Sequence, residues 1–173
     1  GMGKAPLLLG IVVLALLLVP WRLKFVTVLV ALMLAQDGIA TIQASLEGMR
    51  TRSYFGIYTV HDYPQARLRT LAHGTTLHGQ QSTDPALACK AMTYYGPGTG
   101  VALTLDRAQA LFGPNARIGV VGLGTGTLAA YHRGGESWRF YEIDPAVLRL
   151  SRNGTFTYLR RCAPDAKVEI GDA

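Results

Sequence analysis

An α/β fold is what the sequence predicts: hydrophobic N-terminal helices, a small β-meander, then the first part of a parallel sheet. Three observations carry this. Apolar residues are concentrated at the start of the chain. Short aromatic and β-branched runs broken by turn residues follow over 53–81. From Arg117 an apolar run enters a glycine-rich bend, and an acidic residue closes the next apolar run. The expected divisions are a hydrophobic or transmembrane helical segment over 1–48, a small β-domain over 49–96 and the opening part of a parallel-sheet domain over 97–173.

Composition supports two modules. Hydrophobic residues make up 49% of the 173 and charged residues only 16%, well below the roughly 25% of an ordinary soluble domain. The apolar excess lies between Pro6 and Leu46, where the only charges are Arg22, Lys24 and Asp37. The net charge of +6 suits an anionic membrane surface or a surplus of surface arginine; no aromatic-basic motif of an RNA-binding fold accompanies it, so nucleic acid is not an expected partner. Cys89 and Cys162 are far apart and in no ligand-like spacing, which predicts two buried thiols in a reducing compartment and neither a zinc site nor a disulfide framework.

Leu7–Val19 and Phe25–Ala35 are two apolar runs separated by Pro20, Trp21, Arg22 and Lys24. Each is shorter than the roughly 20 residues that cross a bilayer core. The first run has eleven Leu, Ile or Val, together favouring insertion by very roughly 3 to 6 kcal/mol. The second reaches spanning length only by taking in Asp37. A signal peptide fits less well than two helices joined by a tight basic turn, because apolar character resumes after Lys24 and no small-x-small cleavage site followed by polar chain is present.

Ser53–Val60 reads as one strand, the stretch alternating from Leu68 as a second and Thr75–Gln81 as a third, with turns at Asp62–Pro64 and His73–Gly74. Histidines beside glycines in tight turns are turn residues rather than metal ligands, which leaves Gln81 as the polar group placed to face a ligand. Thr99 caps a helix whose apolar positions Val101, Leu105, Ala108 and Leu111 recur at helical spacing as far as Gly113–Pro114.

Arg117–Gly122 is a buried parallel strand that enters Gly122-Leu123-Gly124-Thr125-Gly126-Thr127, with a helix expected next. Glycine is needed there for a sharp turn with positive φ and for close approach of backbone to a ligand. A second strand, SWRFYEID, ends at Glu142, about 20 residues beyond the bend, where a carboxylate accepts hydrogen bonds from both hydroxyls of a ribose. Helix 145–152 and a third strand over 166–170 follow, with Asp172 at its end. The pattern is that of a Rossmann-like, methyltransferase-type nucleotide-binding domain, truncated after its third strand. Thr127 stands where a dinucleotide fingerprint has its third glycine, and no P-loop lysine is present. An S-adenosyl compound, which has no phosphates, suits the looser bend.

Gly122-Leu123-Gly124-Thr125-Gly126, Tyr141-Glu142-Ile143-Asp144-Pro145 and Gly171-Asp172-Ala173 resemble the three nucleotide-binding motifs of the spermidine synthase family. The strands around HGTTLHGQQ and the Tyr94–Tyr95 pair are similar to that family's N-terminal β-domain and gate, and the apolar N-terminus is similar to that of its membrane-fused members. The resemblance implies aminopropyl transfer from decarboxylated S-adenosylmethionine to a diamine. It places Gly122, Gly124, Thr125 and Gly126 around the nucleoside, Glu142 with Ile143 at the ribose, Asp172 and Ala173 at the adenine, and Gln81 and Tyr95 facing the ligand. It also implies a homodimer.

Two departures bear on activity. Thr125 stands where the family's bend carries an aspartate that holds the amino end of the ligands, and the family's general base, an aspartate after a fourth strand, would lie beyond Ala173. No residue within the chain is therefore expected to be catalytic, no metal is expected, and the chain reads as a fragment that binds nucleoside weakly and does not turn over. A methyltransferase using S-adenosylmethionine and a non-catalytic nucleoside-binding module attached to a transporter-like membrane region are the alternatives. The expected location is a membrane with the nucleotide-binding part in the cytoplasm: Arg22 and Lys24 draw the first turn to that side and Arg50 and Arg52 the later end, and the cytosolic nucleotide favours the second.

Overall fold

The structure is a computed structural model that describes residues 4–172. It divides into two compact units, Gly1–Gly48 and Met49–Ala173, and the boundary expected after residue 96 falls inside the second.

The first unit is helical: α1 (Lys4–Leu18), α2 (Arg22–Met33), a π-helical turn over Leu34–Gly38, and α3 (Ile39–Leu46). Pro20 cannot continue α1, and the Trp21 N–H bonds back to the Leu18 carbonyl at 2.8 Å. Lys24 Nζ lies 3.5 Å from the centroid of the Trp21 ring, a cation–π contact that closes the basic turn. Among the described residues no single helix is long and apolar enough to cross a membrane; Arg22–Gln36 and Ile39–Leu46 reach that length only as a pair bent by 66°.

The second unit begins with an antiparallel meander, β1 (Arg50–Ser53), β2 (Gly56–Tyr63), β3 (Leu68–His73) and β4 (Thr76–Ser82), paired in that order. The single strand expected over Ser53–Val60 is two: the chain reverses at Tyr54–Phe55, and Ser53 pairs with Gly56. The reversal is possible because Gly56 takes φ +139°, a region open to glycine. Tyr58, Val60 and Leu71 bring the inner face of this meander into the core shared with Trp138, Phe140, Val147 and Tyr158.

Thr99 does cap the next helix, its hydroxyl accepting from the Ala102 N–H at 3.4 Å. The helix is interrupted, however, giving α4 (Gly100–Asp106) and α5 (Ala108–Phe112). At the break the Arg133 guanidinium donates to the Asp106 carbonyl at 2.6 Å and to the Asp106 carboxylate at 2.8 Å. A parallel sheet follows, β5 (Arg117–Val121), β6 (Ser137–Glu142) and β7 (Lys167–Ile170), in the order β5-β6-β7. Between its last two strands lie α6 (Pro145–Arg152) and α7 (Tyr158–Cys162). Ala146, Val147, Leu148 and Leu150 are the buried face of α6, and Arg149 and Arg152 stand in its last turn, where a cation complements the helix dipole.

The cysteine expectation is overturned. Cys89 and Cys162 form a disulfide across 73 residues, with Cα atoms 5.7 Å apart. The fold brings the segment after β4 against the end of α7, a proximity no spacing in the sequence encodes. A cross-link closing a loop of this length stabilises by about 2–4 kcal/mol, mainly by restricting the unfolded chain. Cys89→Ser, or reduction of the wild type, is expected to lower unfolding free energy by about that amount. A urea midpoint identical with and without reductant would show that the cross-link contributes nothing.

Candidate functional site

The carboxyl ends of the three parallel strands bring the three sequence motifs together. The Gly122 N–H donates to the Tyr141 carbonyl at 2.8 Å and the Gly171 N–H to the Glu142 carbonyl at 3.0 Å, so the bend, the acid and the start of the third motif sit side by side. Ligands of open α/β sheets bind in this crevice. The chain can bend there because Gly122, Gly124 and Gly126 take φ of +86°, +54° and +82°.

Glu142 is the centre of the arrangement. Its side chain is buried, 7% exposed. Oε2 accepts from the Leu123 N–H at 2.8 Å and Oε1 from the Asp144 N–H at 2.9 Å, so the carboxylate lies directly beneath the bend. Each oxygen keeps a second lone pair, which is what a pair of ribose hydroxyls requires. Asp144, 2% exposed, caps α6 by accepting from the Ala146 N–H at 2.8 Å and also accepts from the Ser53 hydroxyl. Beside it, burial pushes the Tyr58 hydroxyl up to about 12, with Asp144 adding to the effect.

The rest of the bend faces inward. Thr125 is 1% exposed, and its hydroxyl shares a hydrogen bond with that of Thr127 at 2.7 Å. It packs against Gly79 of β4, where a Cβ would run into the Thr125 hydroxyl. Thr125 therefore anchors the bend to the meander and does not face a ligand. The helix expected after the bend is a single 3₁₀ stretch, Thr127–Tyr131, too short to supply the N-terminal donor set of an α-helix.

The remaining predicted residues divide. Ile143 follows Glu142 and is 46% exposed at the strand end, and Asp172 closes β7 beside Gly171, exposed; Ala173 lies outside the described residues. Gln81 is not at this site. It is buried, donating to the Ala88 carbonyl at 2.8 Å and to the Thr157 hydroxyl at 3.0 Å while accepting from the Thr157 N–H at 2.8 Å. It is a brace between β4 and the segment before α7, because every group of its amide is satisfied within the protein. Tyr95 is half-buried, its ring 4.4 Å from that of Tyr94, and its carbonyl accepts from the Tyr131 hydroxyl at 2.5 Å. It touches the segment after the bend rather than Glu142.

Sequence reasoning missed Ser53, Tyr58 and Asp144 as the support beneath Glu142. Only Asp144 carried a signal, since an Asp before a proline at a helix start is a capping pattern. His78 lies in β4, within the strand expected over Thr75–Gln81, its ring centroid 5.3 Å from that of His73. Burial, followed by the His73 charge, lowers the His78 pKa, with Glu142 opposing. No cluster of three or more metal-ligating side chains occurs among the described residues.

No family model matches the chain, and no curated protein matches it. Among solved structures it is similar to the spermidine synthase of Thermotoga maritima, at 13% identity and a TM-score of 0.43, covering 71% of this chain and 40% of that one. It is also similar to a spermidine synthase in complex with the transition-state analogue AdoDATO, at 15% identity and a TM-score of 0.41, covering 70% of this chain and 38% of that one. The chain thus spans about 40% of the length of these structures.

Two substitutions probe the arrangement. Gly79→Ala is expected to destabilise the second unit by more than about 1 kcal/mol, because it combines a strained φ of +151° with the collision at Thr125. Glu142→Ala leaves two buried backbone N–H groups without an acceptor and is expected to cost about 1–3 kcal/mol. Both are read from denaturant unfolding, and wild-type midpoints would refute the geometry described.

Proposed function

We propose that the second unit binds an adenosine-type nucleoside at the carboxyl edge of the β5-β6-β7 sheet, and that its chemistry is aminopropyl transfer of the spermidine synthase-like kind. The observation that carries the reading is the Glu142 carboxylate held by the Leu123 and Asp144 N–H groups. It fixes an anionic double acceptor under a glycine bend, the arrangement that recognises the two adjacent hydroxyls of a ribose. Ile143, exposed beside it, offers an apolar edge for a base, and Asp172 a polar one.

In this reading decarboxylated S-adenosylmethionine is the donor and a diamine the acceptor. The amine nitrogen attacks the carbon next to the sulfonium, the carbon–sulfur bond breaks onto sulfur, and methylthioadenosine leaves. The attacking amine must first lose a proton. Glu142 and Asp144 are poor candidates for that base, since both are already held as acceptors by backbone N–H groups. By the resemblance, the base belongs to a fourth strand. The apolar helices of the first unit would hold the protein at a lipid surface.

Thr125 favours a second reading. Its hydroxyl is buried and bonded to Thr127, so the bend presents no acid to a cationic amine. Methyl transfer from S-adenosylmethionine uses the same nucleoside pocket and needs no such acid.

Calorimetric titration of the full-length protein with S-adenosylmethionine and with its decarboxylated form tests both. Binding of either that weakens roughly tenfold in Glu142→Gln, through loss of charge-assisted hydrogen bonds, supports the nucleoside site; equal affinity in folded variant and wild type sinks it. Preference for the decarboxylated form selects aminopropyl transfer, and preference for the carboxylated form selects methyl transfer.

A further inference from the structure

Away from the strand ends, a cavity of about 240 Å³ opens where β3 and β4 meet the connection between α6 and α7. Its charged lining is one-signed: Arg69 and Arg161 line it, and no acidic residue does. Thr83, Thr155 and Thr157 line it as well. We propose that this cavity is a binding site for a small oxyanion, a phosphate or carboxylate group of a soluble ligand.

The donors are prepared for such a group. Arg161 is exposed and its guanidinium makes no hydrogen bond or ion pair among the described residues, so its forked donor set is free. Arg69 is fixed in place: it donates to both Asp62 oxygens, at 2.5 and 2.8 Å, and to the Thr155 carbonyl at 2.8 Å, which leaves part of its donor set unused. Asp62 neutralises Arg69 from outside the cavity, so Arg161 supplies the net charge. Gln81 sets the polarity of the floor. It donates to the Thr157 hydroxyl oxygen, which leaves the O–H proton of Thr157 available to an oxyanion. Gln81 itself is 4% exposed and braced on both sides, and the Cys89–Cys162 cross-link fixes residues next to Ala88 and Arg161. The cavity is therefore pre-formed, which lowers the ordering cost of binding.

Calorimetric titration of the full chain with inorganic phosphate and, separately, with succinate tests the site. Saturable heat is expected with at least one; tighter phosphate identifies a tetrahedral group and tighter succinate a carboxylate. Arg161→Gln is expected to weaken binding roughly tenfold, the scale of a hydrogen bond to a charged group, whereas Arg152→Gln, with the same change in net charge, leaves it unaltered. Arg161 is exposed, so its replacement leaves the fold intact, as a thermal melt of each variant will show. No saturable heat with either anion, or equal weakening by the two variants, overturns the site. Neither result bears on nucleoside binding at Glu142.

The cystine carries a second inference by itself. Cys89 and Cys162 are the chain's only cysteines, they are paired, and Cys89 is exposed. Exposed disulfides persist in oxidising compartments and are reduced in the cytosol. We infer that the second unit matures on the oxidising side of a membrane, contrary to the cytoplasmic placement expected from the nucleotide. There the two thiols lose two protons and two electrons by exchange with a disulfide-bearing oxidoreductase, which leaves as a dithiol. Cells making the full chain, quenched in acid and alkylated with a maleimide, should yield protein that takes up no label until reduced and then takes up two. Two labels without reduction would overturn the placement.

Discussion

One carboxylate holds the carboxyl edge of the parallel sheet together. Glu142 accepts from the Leu123 N–H in the bend and from the Asp144 N–H at the start of α6, joining two turns that leave neighbouring strands. A buried carboxylate is costly unless its charge is met by donors, and here the donors are backbone groups that would otherwise be orphaned. Each side of the pairing therefore removes the other's penalty. The same economy sets the chemistry available: with one lone pair per oxygen committed to the protein, what remains is an acceptor pair fixed in space, suited to a vicinal diol and unsuited to shuttling protons.

The bend is held from its other side by the meander. Thr125 fills the space that Gly79 leaves open on β4, and the carbonyl of His78 lies 3.0 Å from where a Cβ on Gly124 would stand. Gly79 in β4 and Gly124 in the bend thus allow the meander and the bend to approach within backbone distance. A neutral hydroxyl suits this role, because Thr125 is buried against β4 and its hydroxyl is satisfied by Thr127.

Most of the parallel-sheet half was legible because its signals are local. An apolar run, three glycines, an acid at the next strand's end and an Asp-Pro helix start each state their own geometry, and helix 145–152 has those bounds in the structure. What failed depended on partners distant in sequence. Asp106 at the α4–α5 break is held by Arg133, 27 residues on; the cystine needs a fold that closes 73 residues; and Gln81 is occupied by Thr157, 76 residues away. The reversal at Tyr54–Phe55 was hidden for another reason: both residues have high strand propensity, and only Gly56 marks the turn.

The segment between β4 and α4 shows how far such distant partners constrain the chain. It carries Tyr94 and Tyr95, and it is fastened along its length. Cys89 is cross-linked to α7, and the Tyr158 hydroxyl donates to the Lys90 carbonyl at 2.7 Å. The Tyr131 hydroxyl donates to the Tyr95 carbonyl at 2.5 Å, and the Tyr94 hydroxyl to the Leu77 carbonyl at 3.3 Å. Burial pushes the Tyr158 hydroxyl up to about 12, so its donor proton stays in place at any ordinary pH. Opening this segment would cost at least the Tyr131 and Tyr158 bonds, each worth about 1 kcal/mol net, and the cross-link would still limit its travel. The segment is therefore a fixed part of the second unit rather than a hinged one.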